Sequence, residues 1–457
     1  MMTLAQAARA MGGELHGTDG AFSGVSTDSR ALARGELFVA LRGERFDGHA
    51  FVPQAARAGA AGVVIARDSA PPPDCPCIVV ADPLIALGRL AQHWRRQFAI
   101  PVVALTGSNG KTTVKEMLAA MLRAASAEAA VLATEGNLNN HIGLPLMLLR
   151  LRAGHRYGVF EMGMNHAGEI RYLSGLTEPD VALVNNIGRA HIEFLGSEEA
   201  IARAKGEIFE GLKPDGTAVI NADDRFAPLL RDLAGPRPRV EFGLEQPAPV
   251  TGRCTLRLLD SEIRLTTPLG ETAATVPAPG LHNVRNALAA AAAATALGIT
   301  PATIAAGLAG FRGAKGRLQK REGLAGAAIL DDTYNANPDS VRAAIAVLAA
   351  LPGRRVLVLG DMGELGPGGE GLHAQAGEYA RSAGIDVLYT LGELAAHAAR
   401  AFGRGARHFQ RIEDLLAAVE SVLAPDVTVL VKGSRFMQME RVVKGIERGA
   451  AATAGGG

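Results

Sequence analysis

The fold of this chain is decided by residues 102–118, which read VVALTGSNGKTTVKEML. The apolar run Val102–Leu105 predicts a buried strand, and the residues after Gly110 favour a helix through Leu118. A glycine-rich turn between a strand and a helix brings backbone N–H groups and the positive helix N-terminus to one point, where phosphate groups bind. We therefore predict a nucleotide site. The pattern also fits an ordinary strand–turn–helix, because Leu105 stands where phosphate loops usually place their first glycine.

The sequence around this loop alternates short apolar strands with helices, which is typical of parallel sheets covered on both faces. Before the loop we predict strands around Glu36–Leu41 and at Gly62–Ala66, with helices near Phe51–Gly59 and Leu84–Phe98. After it we predict strands at Val102–Leu105, Tyr157–Phe160, Val181–Val184 and Ala218–Ile220, and a last helix at Asn283–Leu297. A weakly structured segment, Phe311–Gly316, then precedes further strands at Ala327–Leu330, Arg355–Leu359, Val387–Tyr389 and Val427–Val431.

These patterns predict an α/β protein of three domains, as the length of 457 residues also suggests. Residues 1–98 are expected to form a small N-terminal α/β domain. Residues 99–312 are expected to form a central phosphate-loop ATPase domain with a parallel sheet. Residues 313–457 are expected to form a C-terminal Rossmann-like domain.

Composition and charge exclude several other classes of protein. The net charge of +1 lacks the basic excess of a dedicated nucleic-acid binder. No run approaches the ~18 apolar residues that a membrane-spanning helix needs. Cys75, Cys77 and Cys254 have no paired metal-ligand spacing, which favours free thiols in a reducing compartment. We expect a cytoplasmic protein that binds neither nucleic acid nor membranes.

Three residues of the central segment could serve a magnesium ion beside the loop. Glu161 follows one predicted strand and His191 follows another, so both lie where open sheets bind ligands. Taken singly, each also fits a loop residue that hydrogen-bonds locally. Lys205 lies among apolar neighbours on a helix that begins at Ser197, where it either snorkels outward or loses charge by desolvation. A neutral amine there can react with carbon dioxide to give a carbamate, which would act as an extra carboxylate.

Further polar clusters are predicted to surround the nucleotide. Asn283 and Asn286 share one face of a helix and could hold a base or ribose, with His282 at the helix start. Three more clusters each follow an apolar strand of the third segment: Asp332–Asn337, Gly360–Glu364 and Lys432–Arg435. Because such strands end at one edge of a sheet, the clusters suggest a site that faces the nucleotide across a cleft.

The order of these motifs resembles the Mur ligase family over essentially the whole chain. The resemblance rests on the phosphate loop, Glu161, the stretch Asn185–Gly196 with His191, Lys205, and His282-Asn283-x-x-Asn286. Four further strings are similar to the branch of the family that adds D-alanyl-D-alanine: Ser26–Arg30, Gly35–Leu41, Gly136–Asn140 and Asp332–Pro338.

The resemblance implies an ATP-dependent amide-bond-forming enzyme of peptidoglycan precursor synthesis. ATP would phosphorylate a carboxylate of UDP-N-acetylmuramoyl-tripeptide, and the amine of D-alanyl-D-alanine would attack the acyl phosphate. The resemblance also implies two Mg²⁺ ions, a carbamylated lysine at Lys205 and a monomeric enzyme. The catalytic residues would be Lys111, Glu161, His191 and Lys205.

The roles known in the family map onto this sequence residue by residue. ATP would contact Gly107, Ser108, Asn109, Gly110, Lys111, Thr112 and Thr113, with Lys111 on the β- and γ-phosphates. Adenosine would contact Asn283, Arg317 and Asp332. Magnesium would be served by Thr112, Glu161, His191 and carbamylated Lys205. Ser29 and Arg30 would hold the uridine diphosphate end, unless they form only a capped surface turn. Candidates for the dipeptide or peptide substrate are Tyr334, Asn335, Asn337 and Ser434.

Three alternatives remain open from the sequence. A sister ligase that adds the third amino acid would share the nucleotide apparatus, but its Asp-Asn-Pro-Arg string is missing from the third segment here. Folylpolyglutamate synthase would share the phosphate loop but would lack the Ser26–Arg30 stretch. A phosphate-loop NTPase without ligase activity would use ATP to drive a conformational change or to bind a partner.

Overall fold

The structure is a computed structural model that describes residues 1–43, 46–72, 74–190 and 192–449. Its first part is a five-stranded sheet of order β1-β5-β4-β3-β2, parallel except for the edge strand β1. The elements of this part are α1 (Leu4–Met11), β1 (Glu14–His16), β2 (Val25–Ser26), β3 (Leu37–Val39), α2 (Val52–Arg57), β4 (Gly62–Ala66), β5 (Cys77–Val80) and α3 (Pro83–Arg95).

The second part contains a six-stranded parallel sheet of order β11-β10-β9-β6-β8-β7. Its elements are β6 (Val102–Thr106), α4 (Lys111–Ala125), β7 (Val131–Ala133), α5 (Gly143–Leu148), β8 (Tyr157–Glu161), α6 (Glu169–Thr177), β9 (Val181–Val184), α7 (Ile192–Leu195), α8 (Glu198–Gly206), β10 (Thr217–Asn221), α9 (Ala227–Ala234) and β11 (Arg239–Phe242). Strand β6 lies between β8 and β9, so the ends of these three strands converge around the phosphate loop.

A three-stranded antiparallel sheet and two helices complete the second part. These elements are β12 (Thr251–Leu256), β13 (Ser261–Thr267), β14 (Gly270–Val276), α10 (Leu281–Ala296) and α11 (Pro301–Gly310). The sequence reasoning did not predict the small sheet. It was also wrong that the helix containing Asn283 is the last of this segment. Thr300 caps α11 by accepting a hydrogen bond from the Thr303 N–H, and Pro301 occupies the first turn, where its missing N–H costs nothing.

The third part is a six-stranded sheet of order β15-β16-β20-β17-β18-β19, parallel except for β15. Its elements are β15 (Gln319–Glu322), β16 (Ala328–Asp332), α12 (Pro338–Ala349), β17 (Arg354–Gly360), α13 (Gly369–Ser382), β18 (Val387–Leu391), α14 (Ala395–Phe402), β19 (Ala406–Phe409), α15 (Ile412–Glu420), β20 (Val427–Lys432) and α16 (Glu440–Ile446). The predicted fold class, three successive α/β units with parallel sheets, is confirmed.

Helix α3 fixes the first part of the chain to the second. Its apolar side chains join one continuous core with those of α5, α6 and the sheet centred on β6. The indole of Trp94 donates to the Leu151 carbonyl oxygen at 3.1 Å, and the buried guanidinium of Arg95 donates to the Thr177 carbonyl oxygen at 3.0 Å. No helix among the described residues is long and apolar enough to cross a bilayer.

Candidate functional site: a phosphate loop facing a polar sheet edge

The phosphate loop runs from the end of β6 to the first residue of α4. Gly110 precedes α4 with φ +77°, and a Cβ atom there would lie 2.3 Å from Asn286 Oδ1. Only glycine fits this backbone conformation so close to the Asn286 side chain. Leu105 is a fully buried strand residue that pairs with Glu161, so the loop begins two residues later, at Gly107, and needs no glycine at Leu105.

Asn109 is held by polar groups from three directions. Its N–H donates to Asn186 Oδ1 at 2.8 Å, and its carbonyl oxygen accepts from Asn185 Nδ2 at 2.9 Å. From the third sheet, Asn337 Nδ2 donates to Asn109 Oδ1 at 2.8 Å. The Ser108 hydroxyl accepts from the Gly188 N–H at 2.8 Å. The loop is therefore fixed from both sides of the cleft.

The predicted magnesium residues Thr112 and Glu161 are in direct contact. The Thr112 hydroxyl donates to Glu161 Oε2 at 2.9 Å, and Asn139 Nδ2 donates to Glu161 Oε1 at 2.8 Å. Glu161 is the last residue of β8, not a loop residue after it, and its backbone N–H donates to the Thr134 hydroxyl at 2.9 Å. His191 lies outside the described residues.

These donors fit magnesium. Thr112 and Glu161 offer the hard oxygen atoms that this ion prefers, and magnesium usually keeps several waters and binds substrate phosphates. In the described part of the chain, no three His, Cys, Asp or Glu side chains cluster as a protein-only metal cage would require. A site completed by nucleotide phosphates is consistent with both observations.

Lys205 is buried on α8, which Ser197 caps by accepting from the Ala200 N–H at 3.1 Å. Burial lowers the pKa of Lys205 well below its ordinary value, and the positive charge of Lys111 lowers it further. The sequence left two possibilities for Lys205, a side chain that snorkels outward or one that is buried and desolvated. The structure shows the buried one. A lysine of this kind holds a larger fraction of neutral, nucleophilic amine than an exposed lysine does.

Lys111 lies against the loop, where its ammonium group donates to the Gly107 carbonyl oxygen at 2.8 Å. Burial lowers the pKa of Lys111, whereas the carboxylates of Glu161 and Glu364 oppose that shift. The positive charge of Arg317 lowers the Lys111 pKa further, so the net shift is downward.

Asn286 of α10 lies beside the phosphate loop and is hydrogen-bonded to Asn283 of the same helix. Asn286 Oδ1 accepts from Asn185 Nδ2 at 3.0 Å, and Asn286 Nδ2 donates to Asn283 Oδ1 at 3.2 Å. Asn283 Nδ2 donates to the Pro279 carbonyl oxygen at 2.8 Å. Asn286 thus supports the loop at Gly110, and Asn283 faces the adjoining cavity.

A cavity of about 420 Å³ lies between α10 and the third sheet. His282, Asn283, Arg317 and Asp332 line it, together with Lys432, whose ammonium group donates to Asp332 Oδ2 at 2.6 Å. Burial lowers the pKa of His282 to about 4, so the imidazole is neutral at pH 7. A neutral aromatic ring between polar groups suits a nucleoside.

Arg317 crosses this cavity with its guanidinium 4.3 Å from the centre of the Tyr334 ring. Its Nε atom is buried and lacks a hydrogen-bond partner among the described residues. A buried donor without a partner is costly, and a bound nucleotide would satisfy it. The expected adenosine contacts Asn283, Arg317 and Asp332 therefore line one cavity.

A second cavity, of about 430 Å³, adjoins the phosphate end of the loop. Of the dipeptide candidates, Asn335, Asn337 and Ser434 line it. Ser434 accepts from the Gly363 N–H at 2.7 Å and donates to the Ala336 carbonyl oxygen at 3.1 Å. Tyr334 contributes instead through its ring beneath Arg317.

Ser29 and Arg30 lie in a turn of the first part of the chain, after β2. The Ser29 hydroxyl donates to Gln54 Oε1 at 3.2 Å, and Arg30 pairs with Asp28 at 2.8 Å. The Arg30 guanidinium beside Asp28 lowers the pKa of that carboxyl group to about 2. Arg30 is 84% exposed, so its guanidinium is accessible to an anionic ligand.

The sequence reasoning did not single out several residues that shape the site. The motifs named from the sequence contain Asn139, Asn185, Asn186 and Lys432, but no individual role was predicted for these residues. Three of them contact Glu161 or the loop backbone, and Lys432 neutralises Asp332. These residues follow apolar strands or a glycine turn, and this position in the sequence could have indicated that they belong to the site.

Three Mur ligase domain families match this chain in succession. The Mur ligase family catalytic domain matches residues 21–95, the Mur ligase middle domain residues 105–294, and the Mur ligase glutamate ligase domain residues 316–435.

Curated and solved relatives are similar over nearly the full length. UDP-N-acetylmuramoyl-tripeptide–D-alanyl-D-alanine ligase of Escherichia coli K12 is 43% identical, with 98% of each chain covered. A crystal structure of MurF from Acinetobacter baumannii is 38% identical with a TM-score of 0.89, covering 96% of this chain and 97% of that one. The MurF ligase of Thermotoga maritima in complex with ADP is 28% identical with a TM-score of 0.81, covering 92% and 96%. On these matches and on the geometry above, the chain belongs to the Mur ligase family.

Proposed function

We propose that this protein joins D-alanyl-D-alanine to UDP-N-acetylmuramoyl-tripeptide at the expense of ATP, in the synthesis of peptidoglycan precursors. The observation that carries the proposal is the 43% identity to the Escherichia coli ligase over 98% of both chains. The contact between Thr112 and Glu161 beside the phosphate loop supports the proposal, because their oxygen atoms suit the magnesium ion that ATP would bring.

The phosphate loop holds ATP in this proposal. The backbone of Gly107, Ser108, Asn109 and Gly110, with Lys111, Thr112 and Thr113 at the start of α4, surrounds the phosphates. Lys111 neutralises the β- and γ-phosphates. Asn283, Arg317 and Asp332 contact adenosine, a role supported by their common cavity and by the unpaired Nε of Arg317. The Thermotoga maritima relative was solved in complex with ADP, which supports nucleotide binding by this chain.

Thr112, Glu161 and His191 would hold one magnesium ion, and carbamylated Lys205 would help to hold a second. When bound, the metal neutralises charge on the transferring phosphoryl group and on the substrate carboxylate. The residues of the chain orient these groups: Asn139 fixes one oxygen of Glu161 and leaves the other toward Thr112.

Carbamylation of Lys205 is supported by its burial and its lowered pKa. The neutral amine attacks carbon dioxide and loses one proton, which gives an anionic carbamate. The charge of nearby Lys111, which disfavours an ammonium group at Lys205, favours the anion that replaces it.

The reaction uses positioning and charge neutralisation, not a covalent enzyme nucleophile. The tripeptide carboxylate attacks the γ-phosphorus of ATP, and ADP leaves. The acyl phosphate then awaits the amine in a cleft that must exclude water. The contact between Asn337 and Asn109 brings the third sheet against the phosphate loop, which supports such a closed cleft.

The remaining substrate contacts follow from the three parts of the chain. In this proposal, residues 1–98 bind the UDP-substrate through Ser29 and Arg30, and residues 99–312 bind ATP. Residues 313–457 bind the incoming dipeptide and part of the nucleotide, with Tyr334, Asn335, Asn337 and Ser434 shaping the dipeptide site. The enzyme acts as a monomer in the cytoplasm, where its nucleotide substrates occur and where Cys75, Cys77 and Cys254 stay unpaired.

The test is phosphate release from ATP with every combination of carboxylate and amine substrate. We expect release that requires UDP-N-acetylmuramoyl-tripeptide together with D-alanyl-D-alanine. Release with the shorter UDP-dipeptide and a free diamino acid would favour the sister ligase. Release with a folate and glutamate would favour folylpolyglutamate synthase. Release that is indifferent to all acceptors would support an NTPase without ligase activity.

A further inference from the structure

Lys432 bridges the two cavities of the site with a single ammonium group. Its Nζ atom donates to Asp332 Oδ2 at 2.6 Å and to the Asn335 carbonyl oxygen at 2.9 Å. Asp332 and Lys432 line the first cavity, between α10 and the third sheet, whereas Asn335 lines the second cavity, beside the phosphate loop. The same cation therefore holds one residue from the wall of each cavity.

The bridge is deeply buried, because Lys432 is 2% exposed and Asp332 is 7% exposed. The cost of removing two charges from water can exceed the attraction between them, so a buried ion pair by itself is a poor source of stability. The pair is therefore better explained by the groups that it holds in place than by a contribution to folding.

On the nucleotide side, Asp332 connects Lys432 to the residue beside Arg317. The Leu318 N–H donates to Asp332 Oδ1 at 3.2 Å, so both carboxylate oxygen atoms accept hydrogen bonds. Leu318 has a φ of +52°, in the left-handed region, and directly follows Arg317, whose buried Nε lacks a partner among the described residues. A nucleotide that pairs with Arg317 would therefore act on a segment that is tied to Lys432 through Asp332.

On the acceptor side, Lys432 helps to hold the segment between β16 and α12. The Asn335 carbonyl oxygen accepts from Lys432, and the next carbonyl oxygen, that of Ala336, accepts from the Ser434 hydroxyl at 3.1 Å. Asn335 and Ser434 line the second cavity, where the dipeptide is proposed to bind. Two consecutive carbonyl groups of this segment are thus anchored to the end of β20.

We propose that Lys432 is a positioning residue that couples the two cavities, so that a nucleotide in the first strengthens binding of the dipeptide in the second. The inference rests on the proposed function and deepens it, because it explains how ATP prepares the site for its acceptor. A ligand that fixes one wall lowers the ordering cost that the other ligand must meet. Coupling between two ligands is reciprocal, so the dipeptide strengthens nucleotide binding by the same factor.

The experiment measures this coupling at equilibrium. Calorimetry gives the Kd of a non-hydrolysable ATP analogue, with magnesium and saturating UDP-N-acetylmuramoyl-tripeptide present throughout. D-alanyl-D-alanine is either absent or raised until the Kd no longer changes, and the ratio of the two Kd values is the coupling factor. No reaction occurs, so the factor reports binding alone.

Two variants break the bridge in different ways. Lys432→Gln removes the charge and shortens the donor. The double variant Lys432→Met with Asp332→Asn removes both charges together, so that neither is left buried alone, and it keeps the test decisive where the single variant fails to fold. A melting curve shows which of the two is folded.

Arg321→Gln is the matched control. Arg321 pairs with Asp331 at 3.1 Å, and Asp331 directly precedes Asp332 in β16, so the two carboxylates lie on opposite faces of the sheet. The control therefore removes the cation beside another buried carboxylate of the same strand and leaves the Lys432 bridge intact.

For wild type we expect a coupling factor of at least about fivefold, within the range usual for coupled sites. The factor should fall below about twofold in Lys432→Gln and in the double variant. Arg321→Gln should keep the wild-type factor, whatever its melting temperature. A purely structural role for Lys432 would lower the melting temperature without changing the factor.

Two results would overturn the inference: a wild type that ligates the dipeptide but has a coupling factor near one, or folded Lys432 variants that keep the wild-type factor. If nucleotide binding weakens in those variants while the factor is unchanged, Lys432 is a nucleotide contact only. A wild type that does not ligate D-alanyl-D-alanine would instead contradict the proposed function, and the phosphate-release assay shows this before any variant is compared.

Discussion

Asn337 Nδ2 lies 2.8 Å from Asn109 Oδ1, so a residue between β16 and α12 hydrogen-bonds directly to the phosphate loop. The same Asn337 side chain caps α12 by accepting from the Ser340 N–H at 2.9 Å. One amide thus links the start of a helix in one domain to the nucleotide site of another. Movement of the third sheet away from the loop would break this contact.

Replacing Asn337 with serine should separate the two roles. Serine caps a helix about as well as asparagine, but it is too short to reach Asn109. We expect little change in thermal stability and roughly a fivefold rise in KM for ATP, the equivalent of one hydrogen bond of about 1 kcal/mol. Steady-state kinetics and a melting curve measure the two effects. An unchanged KM would show that the contact does not matter for ATP binding.

Gly168 provides a matched control for Gly110 of the phosphate loop. Both precede a helix with positive φ, +77° and +90°, but a Cβ atom at Gly168 meets nothing within 4 Å. Alanine at either position should cost about 1 kcal/mol of folding free energy because of the left-handed backbone. Only Gly110→Ala should also abolish calorimetric binding of a non-hydrolysable ATP analogue, since its Cβ would collide with Asn286. Equal binding of the ATP analogue by both variants would show that the phosphate loop does not need glycine at position 110 to bind ATP.

The carbamate proposal predicts chemical rescue at Lys205. Lys205→Ala should lower the ligation rate by at least about 100-fold, because the second metal loses a ligand. Acetate or formate should restore part of the rate. Lys213→Ala, which removes a partly exposed lysine paired with Asp180, should remain within about twofold of wild type. In ¹³C-bicarbonate, wild type should show a carbamate signal that Lys205→Ala lacks. Full activity in Lys205→Ala would remove Lys205 from the mechanism.

The pH dependence of stability should report the buried His373. Its Nε2 accepts from the Met362 N–H, and its Nδ1 lies 2.7 Å from the Gly369 carbonyl oxygen, so the ring is neutral and donates from Nδ1. Burial lowers the pKa of His373, although the carboxylate of Asp361 opposes the shift. Below about pH 6.5, His373 therefore binds a proton in the unfolded chain that it does not bind in the folded chain.

The stability due to neutral His373 is thus complete above about pH 6.5 and is lost as the pH falls toward the lowered pKa, by at most about 1.4 kcal/mol per pH unit. We expect the melting temperature of wild type to fall more steeply from pH 7.5 to 5.5 than that of His373→Gln. Parallel curves for the two proteins would show that His373 does not titrate on unfolding.

Strands buried on both faces could be predicted almost to the residue. β4 and β9 are short, continuous apolar runs with no competing pattern, and their observed bounds are those expected from the sequence. β13 was not predicted, because two of its buried positions are Ser261 and Thr267. With polar residues at these positions, the sequence shows no clear alternation of apolar and polar side chains. Alternation of small hydroxyl side chains with charged ones does not distinguish a strand from a loop.

The local parts of the site could be predicted, but contacts between distant segments could not. The phosphate loop and the polar strand ends follow from short motifs. The pair of Lys432 with Asp332 joins residues 100 positions apart and depends on β20 lying beside β16. The contact between Asn109 and Asn337 spans 228 positions and depends on how two domains face each other. The spacing of these residues along the sequence predicts neither contact.

In the proposed reaction, ATP activates a substrate carboxylate for attack by D-alanyl-D-alanine. The direct measurement uses UDP-N-acetylmuramoyl-tripeptide labelled with ¹⁸O in the carboxylate that receives the dipeptide. One labelled oxygen should appear in the inorganic phosphate, in a one-to-one ratio with the amide formed, when ATP and D-alanyl-D-alanine are both present. Phosphate that carries oxygen from solvent water, with no label from the tripeptide, would contradict the account.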